Sequence, residues 1–452
     1  MIEVRGLHVR YPEVHALRGI DLSIVPGSFV LVSGPSGGGK STLIHTLTGL
    51  IPQTVPAEVD GRISIVGLDP QRHSVAQIAT RVGLVFQNPS TQLFNGTVEE
   101  DAAFGPRNLG LSPEEVTDRM EYALSAAGCA HLRHRTVHHL SRGEQQRVAI
   151  AAALSMQPTI LILDEPMANL DTEGERLITH TLLQLHHQHQ ITLVIIEHRL
   201  DPFLPHADRL IWLADGRIAA DGPPAKILTK MQPPLLPFPP SPPIADGPLI
   251  TLQGITAGYD RHPVLQDCTI TLRQRDFVAL VGPNGAGKTT LARVLAGLLR
   301  PRRGRVIWHA NRKWPRVGFL QQNVLHQLVC DTVEEEVRFG PRNLRMERDD
   351  DIEKVMTKGD LCPLRHRRTR ALSVGQQQRT ALTAALALKP MLLILDEPTI
   401  GQDQQHLTQV MDFVSELNQQ GKTVLLITHD RKLVDRYAGQ VCEMKEGKTH
   451  FA

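Results

Sequence analysis

The sequence predicts an α/β protein made of two similar domains, each with a mostly parallel sheet covered by helices. Three observations predict this fold class. Four sequence blocks occur twice in the same order, apolar strand-like segments alternate with helical segments in each copy, and a proline-rich stretch separates the copies. A chain of 452 residues is long enough for two domains of ordinary size.

The repeated blocks indicate an internal duplication. They are GPSGGGKST from Gly34 and GPNGAGKTT from Gly282, FGPRNL from Phe104 and again from Phe339, LSRGEQQR from Leu140 and LSVGQQQR from Leu372, and LILDEP from Leu161 and again from Leu393. Chance does not explain four blocks in one order at similar separations. We therefore expect the two domains to share one fold.

Prolines crowd residues 223–248, between the two copies. Proline fixes φ and removes a backbone donor, so this stretch is expected to be extended and semi-rigid, without a helix interior or a central strand. The predicted domains are residues 1–222 and 249–452, and residues 223–248 are the predicted linker.

The glycine loops are the first chemical signal. Each follows an apolar strand and opens a helix, the context in which G-x-x-x-x-G-K-[ST] binds phosphate through backbone N–H groups and the helix N-terminus. Lys40 and Lys288 are expected to reach the β- and γ-phosphates, and the next hydroxyls to bind Mg²⁺. The candidate ATP contacts are Gly34, Pro35, Ser36, Gly37, Gly38, Gly39, Lys40, Ser41 and Thr42 in the first loop, and Gly282, Pro283, Asn284, Gly285, Ala286, Gly287, Lys288, Thr289 and Thr290 in the second.

A pair of acidic residues ends a later apolar strand in each copy. Asp164 and Asp396 are expected to hold Mg²⁺ through its waters, together with Ser41 and Thr289. Glu165 and Glu397 follow directly and are predicted to orient and polarise the attacking water. The two copies thus predict an ATPase.

The order of motifs makes the prediction more specific. A P-loop, a glutamine, an LSGGQ-like signature, an Asp-Glu pair and a late histidine resemble the ATP-binding-cassette (ABC) ATPases over nearly the whole chain outside the linker. The resemblance implies two tandem ABC-type P-loop NTPase domains, each with an antiparallel β part and a helical subdomain beside the parallel core. ATP and Mg²⁺ are the implied substrate and cofactor.

The resemblance also assigns roles to further residues. It implies that Gln87 and Gln322 contact Mg²⁺ and the γ-phosphate. Because Gln321 lies next to Gln322, either of these two residues could correspond to Gln87. The remaining assignments are His198 and His429 as switch histidines, Asp171 and Asp403 as D-loop aspartates, Tyr11 and Tyr259 stacking on adenine, and Ser141, Gly143, Ser373 and Gly375 as signature contacts to the γ-phosphate. Both signatures depart from the commonest form, with Arg142 and Val374 at the third position.

In this family two domains form a head-to-tail dimer that binds each ATP between the P-loop of one domain and the signature of the other. The resemblance therefore implies an internal pseudo-dimer with two composite sites. The first site would combine Lys40, Ser41, Asp164, Glu165 and His198 with Ser373 and Gly375, and the second Lys288, Thr289, Asp396, Glu397 and His429 with Ser141 and Gly143. Neither site lacks its glutamate or its histidine. Both are therefore predicted to hydrolyse ATP.

The segment between glutamine and signature suggests the type of ABC protein. The repeated T-V-E-E…F-G-P-x-N-L pattern resembles the ATPases, or A components, of energy-coupling-factor importers of vitamins and transition-metal ions. The implied partners are a transmembrane T component and a substrate-binding S component. Phe104, Pro106, Phe339 and Pro341 are predicted contacts for a coupling helix of the T component. The alternative is that Phe-Gly-Pro only shapes a turn.

Composition limits the other possibilities. A formal net charge of +2 gives no strong field for nucleic acid, and we expect no nucleic-acid partner. The chain lacks an apolar run of roughly 18 residues and a signal-peptide core, so any membrane role is expected to come through partners. Together with this, the resemblance to importers implies a peripheral protein on the cytoplasmic face of the cell membrane. Two alternatives remain, a soluble tandem cassette ATPase acting on ribosomes and the fused ATPase of a sugar importer.

Overall fold

The computed structural model describes residues 1–35, 37–168, 170, 172–231, 247–259, 262–309, 316–322, 324, 327–372, 374–398 and 404–451. Contacts between Cα atoms divide the chain into two compact units, Met1–Pro234 and Leu235–Ala452. Each unit contains one copy of every repeated block. The domain limits expected from the sequence, 1–222 and 249–452, stay predictions.

The first unit contains two sheets and the helices that cover them. Its strands are β1 Ile2–Arg10, β2 His15–Ile24, β3 Phe29–Ser33, β4 Glu58–Ile65, β5 Val82–Val85, β6 Ile160–Asp164, β7 Thr192–Ile196, β8 Arg209–Ala214 and β9 Arg217–Gly222. Its helices are α1 Lys40–Leu47, α2 Leu50–Gln53, α3 Val75–Ala79, α4 Val98–Asn108, α5 Pro113–Ala126, α6 Arg142–Leu154, α7 Thr172–His189 and α8 Pro224–Met231. The sheets have the orders β2-β1-β4 and β5-β6-β7-β3-β8-β9.

The second unit repeats this arrangement. Its strands are β10 Pro248–Ala257, β11 Leu265–Arg273, β12 Phe277–Val281, β13 Arg303–Trp308, β14 Val317–Leu320, β15 Leu392–Asp396, β16 Thr423–Ile427, β17 Gln440–Lys445 and β18 Lys448–Phe451. Its helices are α9 Lys288–Leu295, α10 Val333–Asn343, α11 Asp349–Lys358, α12 Val374–Ala387, α13 Gln404–Gln419 and α14 Arg431–Tyr437. The sheet orders are β11-β10-β13 and β14-β15-β16-β12-β17-β18.

The large sheet of each unit is parallel except for its last strand, and the small sheet is antiparallel. All five residues of β3 are buried, since its side chains alternate between two cores. Phe29 and Leu31 pack toward the helices, whereas Val30 and Val32 pack toward the antiparallel sheet and α1. The predicted combination of a parallel core with an antiparallel part is confirmed.

The helical part of each unit lies between the strand before the predicted glutamine and the strand before the Asp-Glu pair. It comprises α4, α5 and α6 in the first unit and α10, α11 and α12 in the second. Val333, Ile352 and Met356 belong to a separate small core in the second unit. The predicted helical subdomain is confirmed in both units.

The linker prediction is wrong in its first part. Residues 224–231 form helix α8, not an extended segment. Pro224 is its first residue, where a missing N–H costs nothing, and no proline follows within the helix. The most proline-rich part of the linker, residues 232–246, lies outside the described residues. None of the described helices has the length and hydropathy needed to cross a membrane.

Candidate ATP-binding and hydrolysis sites

The carboxyl end of the large sheet brings the predicted motifs together. In the first unit, β6, β7 and β3 are consecutive neighbours, and they end beside Glu165, His198 and the glycine loop respectively. In the second unit, β15, β16 and β12 repeat this order. Ligands of open α/β sheets bind outside the carboxyl ends of the strands. These edges are the candidate ATP sites.

The first glycine of each P-loop passes close to the backbone of a neighbouring strand. Gly34 has φ +140°, and a Cβ at this position would lie 1.9 Å from the carbonyl oxygen of Leu213. Gly282 has φ +147° and would place a Cβ 2.1 Å from the carbonyl oxygen of Met444. Only glycine fits such a path. The sequence motif therefore corresponds to a real backbone constraint in both units.

The P-loop lysines are buried and fold back over their own loops. Lys40 is 6% exposed and donates hydrogen bonds to the carbonyl oxygens of Gly34 and Pro35, both at 2.9 Å. Lys288 is 7% exposed and donates in the same way to Gly282 and Pro283 at 2.7 and 3.0 Å. Each ammonium is thus held at the phosphate-binding loop.

The predicted Mg²⁺ ligands lie together. Ser41 lies close enough to Asp164, and Thr289 to Asp396, for each hydroxyl to act on the carboxyl group and lower its pKa. Burial, followed by the nearby charge of Glu165, raises the pKa of Asp164 to about 6, against the lowering effect of Ser41. Burial also raises the pKa of Asp396.

These donor sets fit a magnesium ion. Mg²⁺ prefers hydroxyl and carboxylate oxygens, and it usually keeps several waters while bound by one or two protein groups. Within the described part of the chain, Oδ2 of Asp396 is buried and accepts no hydrogen bond. A cation would supply the partner that this oxygen needs.

Glu165, the predicted base, lies at the centre of a hydrogen-bonded group in the first unit. One carboxylate oxygen lies 3.3 Å from Nε2 of His198, and the other accepts a hydrogen bond from Nε2 of Gln87 at 2.6 Å. Burial acts to raise the pKa of Glu165, but the hydrogen bond and charge of His198, with Lys40 and Gln87, outweigh it and lower the pKa. The carboxylate is therefore ionised at neutral pH, as a base that polarises water must be.

The second unit repeats the pair. Nε2 of His429 lies 3.0 Å from the carboxylate of Glu397, and it lies 3.1 Å from the side-chain oxygen of Asn284 in the P-loop. Glu165 and Glu397 both have positive φ, +46° and +51°. Non-glycine residues at positive φ are uncommon and concentrate at functional sites. The sequence alone gave no signal of this backbone conformation.

The structure gives the register of the second glutamine. The backbone N–H groups of Phe86 and Gln321 each donate to the side chain of the glutamine that lies six residues later, at 3.1 and 3.2 Å. Since Phe86 and Gln321 occupy equivalent positions, Gln322 corresponds to Gln87. This agrees with the register chosen from the sequence.

The first signature serine caps a helix. Ser141 is the N-cap of α6 and forms a capping box with Glu144, through bonds of 3.4 and 2.7 Å. Gly143 is the second residue of α6, so the glycine lies inside the first turn of the helix. Gly375 has the same place in α12, and a Cβ there would meet nothing within 4 Å.

The two predicted adenine-stacking tyrosines differ in their surroundings. The hydroxyl of Tyr11 lies 3.4 Å from that of Thr42, beside the P-loop helix. Tyr259 is 44% exposed, and Arg293 of α9 donates to its hydroxyl at 2.6 Å and lies over its ring. Stacking on adenine stays a prediction for both. The predicted contacts Ser36, Asp171, Ser373 and Asp403 lie outside the described residues.

The Phe-Gly-Pro segments lie within helices α4 and α10, so the alternative of a turn is wrong. Phe104 and Phe339 are 43% and 48% exposed. Pro106 and Pro341 are buried, so the prediction that they contact a coupling helix is wrong. Each proline faces inward because α4 and α10 pack one side against the rest of the helical subdomain.

Sequence reasoning missed one group beside the first site. Glu197 is 5% exposed and directly precedes His198, and it had no predicted role. The sequence does contain one signal for it, because Glu197 directly follows the apolar strand Thr192–Ile196.

Comparison with known proteins agrees with this geometry. The family model described as ABC transporter matches residues 17–168 and 265–400. A protein from Methanosarcina acetivorans, named as an ABC transporter ATP-binding protein, is 36% identical over 97% of this chain and 83% of its own length.

Two solved structures are similar to this chain. One is cbiO1 from Clostridium perfringens, described as part of the ABC transporter complex cbiONQ; it is 34% identical over 51% of this chain and 90% of its own, with a TM-score of 0.47. The other is an RNase-L inhibitor, 21% identical over 98% of this chain and 89% of its own, with a TM-score of 0.69, which shows the shared fold. The sequence match to the family model in both units shows that the chain belongs to the ABC transporter ATPase family and carries two cassettes.

Proposed function

We propose that the chain is the ATP-hydrolysing motor subunit of an energy-coupling-factor importer. It would act at the cytoplasmic face of the cell membrane with a transmembrane T component and a substrate-binding S component. The observation that carries this proposal is the repeated T-V-E-E…F-G-P-x-N-L segment, which folds in both units into a capped helix with an exposed phenylalanine. The transported vitamin, vitamin precursor or metal ion would be bound by the S component.

An apolar surface supports a membrane partner. In the first unit, Phe104 packs edge-to-face on Phe94, with ring centroids 4.7 Å apart, and Phe94 is 61% exposed. The equivalent residues of the second unit, Phe339 and Val329, are 48% and 65% exposed. Large exposed apolar side chains that adjoin each other are typical of interaction sites. We propose that each pair contacts a coupling helix of the T component.

A cavity beside the first pair supports a link to ATP hydrolysis. It has a volume of about 290 Å³ and is lined by Phe94, Phe104, Phe86 and Leu84 among others. Phe86 precedes Gln87, which donates to Glu165. A helix that entered this cavity would touch the residue next to Gln87. Such a contact would connect partner movement to the base of the first site.

We propose the following division of labour at the first site. Lys40 and the P-loop backbone bind the phosphates, while Ser41, Asp164 and Gln87 hold Mg²⁺. Glu165 orients the attacking water, and His198 keeps its carboxylate ionised and positioned. When bound, Mg²⁺ neutralises the charge that develops on the phosphates. At the second site, Lys288, Thr289, Asp396, Gln322, Glu397 and His429 take the same roles.

We further propose that the two cassettes form an internal pseudo-dimer. Each signature, with Ser141 and Gly143 or with Ser373 and Gly375, would contact the γ-phosphate bound by the other cassette. Support comes from the complete set of motifs in both units and from the N-terminal position of Ser141 and Gly143 at α6, where backbone N–H groups favour an anion.

The test is purification of the tagged chain from detergent-solubilised native membranes, followed by mass spectrometry. Three variants are compared with the natural chain: Phe104→Asp, Phe339→Asp and the control Leu298→Asp, at a position 63% exposed outside the helical subdomain. We expect the natural chain and the control to recover a helical T-type protein with a small membrane protein. Both phenylalanine variants should lose these partners while the isolated chain keeps its ATPase activity.

Other outcomes would contradict the importer proposal. Recovery of ribosomal proteins without membrane proteins would favour the soluble tandem ATPase. Recovery of a T-type protein at the natural level by both phenylalanine variants would show that the proposed surface is wrong.

A further inference from the structure

The buried carboxylate of Glu197 joins two loops of the first site. Its Oε1 oxygen accepts hydrogen bonds from the backbone N–H groups of His198 at 2.9 Å and Arg199 at 3.3 Å. Its Oε2 oxygen accepts from the backbone N–H of Met167 at 3.3 Å. Met167 lies two residues after Glu165, so one side chain ties together the loops that carry the base and the histidine.

This connection bears on the distance between those two residues. The side chains of Glu165 and His198 lie 3.3 Å apart. Glu197 binds the backbone N–H of His198 itself and that of Met167, two residues after Glu165. Hydrogen bonds of backbone groups to one carboxylate restrict both loops at once. A buried carboxylate whose two oxygens both accept backbone hydrogen bonds restricts the backbone segments that it binds.

The connection extends to helix α7. The guanidinium of Arg199 donates to both carboxylate oxygens of Glu175, at 2.5 and 3.3 Å. Glu175 lies in the first turn of α7, and its side chain is 11% exposed. Paired, two-point hydrogen bonding of this kind fixes geometry as well as adding stability. The histidine loop of the first unit is therefore held from two sides.

The second unit holds its histidine loop differently. Thr428 stands at the position of Glu197, Asp430 at that of Arg199, and Leu407 at that of Glu175. The Thr428 hydroxyl accepts from the backbone N–H of Asp430 at 3.1 Å, and Asp430 caps α14 by accepting from Lys432 at 2.9 Å. The second histidine thus leads into a capped helix, without the carboxylate that links the two loops of the first unit.

We propose that Glu197 is a positioning residue of the first ATP site, which sets the alignment of Glu165 with His198 by binding the backbone of both loops. The second unit has a threonine and not a carboxylate at the equivalent position, Thr428, so the two sites would differ in what limits their rates. The proposal rests on the assignment of Glu165 and His198 to hydrolysis, and it is independent of the importer role.

The test measures kcat and KM for ATP of the full chain, with thermal unfolding of each variant. Glu197→Gln keeps the size of the side chain but replaces one accepting oxygen by a donor, which faces backbone N–H groups. We expect it to lose at least half of the kcat that Glu165→Gln loses at unchanged KM, with a lower Tm that still leaves the chain folded at the assay temperature. The matched control is Glu336→Gln, another buried carboxylate that accepts two backbone N–H bonds, in helix α10.

Distinct results would overturn distinct parts of the account. Natural kcat in Glu197→Gln, or an equal loss in Glu336→Gln, would overturn the positioning role. A raised KM at unchanged kcat would also overturn it, since alignment of the base acts on the chemical step. Natural kcat in Glu165→Gln would instead show that the site assignment is wrong, and the proposal with it.

A second variant tests the proposal in case Glu197→Gln does not fold. Glu197→Thr gives the first unit the residue that the second unit uses, and it should show the same loss of kcat at unchanged KM. If both variants fail to fold, Glu197 has only a structural role and the proposal is wrong.

Discussion

Replacing the first P-loop glycine by alanine tests the backbone constraint at the ATP site. In Gly34→Ala the new Cβ would lie 1.9 Å from the carbonyl oxygen of Leu213, so the loop and β8 must move apart by about 1.5 Å to reach ordinary contact. Overpacking of this kind costs about 1–3 kcal/mol. The φ of +140° adds about 1–3 kcal/mol of backbone strain. We expect the first unit to lose roughly 2–6 kcal/mol of unfolding free energy, a large share of a typical total.

The matched control is Gly37→Ala. Its φ is +79°, but a Cβ there would meet nothing within 4 Å, so only backbone strain of about 1 kcal/mol is expected. Trp212 in β8 can report on the first unit alone if Trp308 and Trp314, the other two tryptophans, are replaced by phenylalanine. Urea unfolding followed by its fluorescence gives the midpoint and the slope. Equal midpoints for Gly34→Ala and Gly37→Ala would refute the steric reasoning.

Two further predictions concern pH. Because burial raises the pKa of Asp164 to about 6, the Mg²⁺ concentration for half-maximal ATPase activity should rise as pH falls below 6; a constant value would contradict the assigned ligand. In His198→Ala, the hydrogen bond and the charge that lower the pKa of Glu165 most are removed, so its pKa rises and the acid limb of the pH–rate profile should move to higher pH; an unmoved limb would contradict the coupling.

Much of the fold could be predicted from the sequence because each duplicated motif requires particular secondary structure on either side of it. A phosphate loop needs a strand before it and a helix after it, and Gly34 and Gly282 meet a neighbouring carbonyl as that geometry requires. The Asp-Glu pairs end buried strands for the same reason, because ligands lie at the carboxyl edge of the sheet. Matching residues in two diverged copies then made each prediction more specific.

Other features depended on contacts distant in sequence. Pro106 faces inward because of the packing of α4, which no local pattern reveals. Glu197 gains its importance from the backbone of Met167, which is 30 residues away. Helix α8 was not predicted because residues 223–248 were judged by their overall proline content. The seven residues that follow Pro224 contain no proline and form the rest of the helix. Burial and long-range hydrogen bonding decided each of these cases.

The most direct test of the central claim is steady-state ATP hydrolysis by the purified full chain carrying Glu165→Gln, Glu397→Gln or both. Each glutamate lies 3.0–3.3 Å from its histidine, so both sites bring together the two groups that we propose act in hydrolysis. We predict that each single variant reduces turnover strongly and that the double variant abolishes it, while ATP binding persists in all three. A single variant that retained the full rate would contradict the claim that both cassettes hydrolyse ATP.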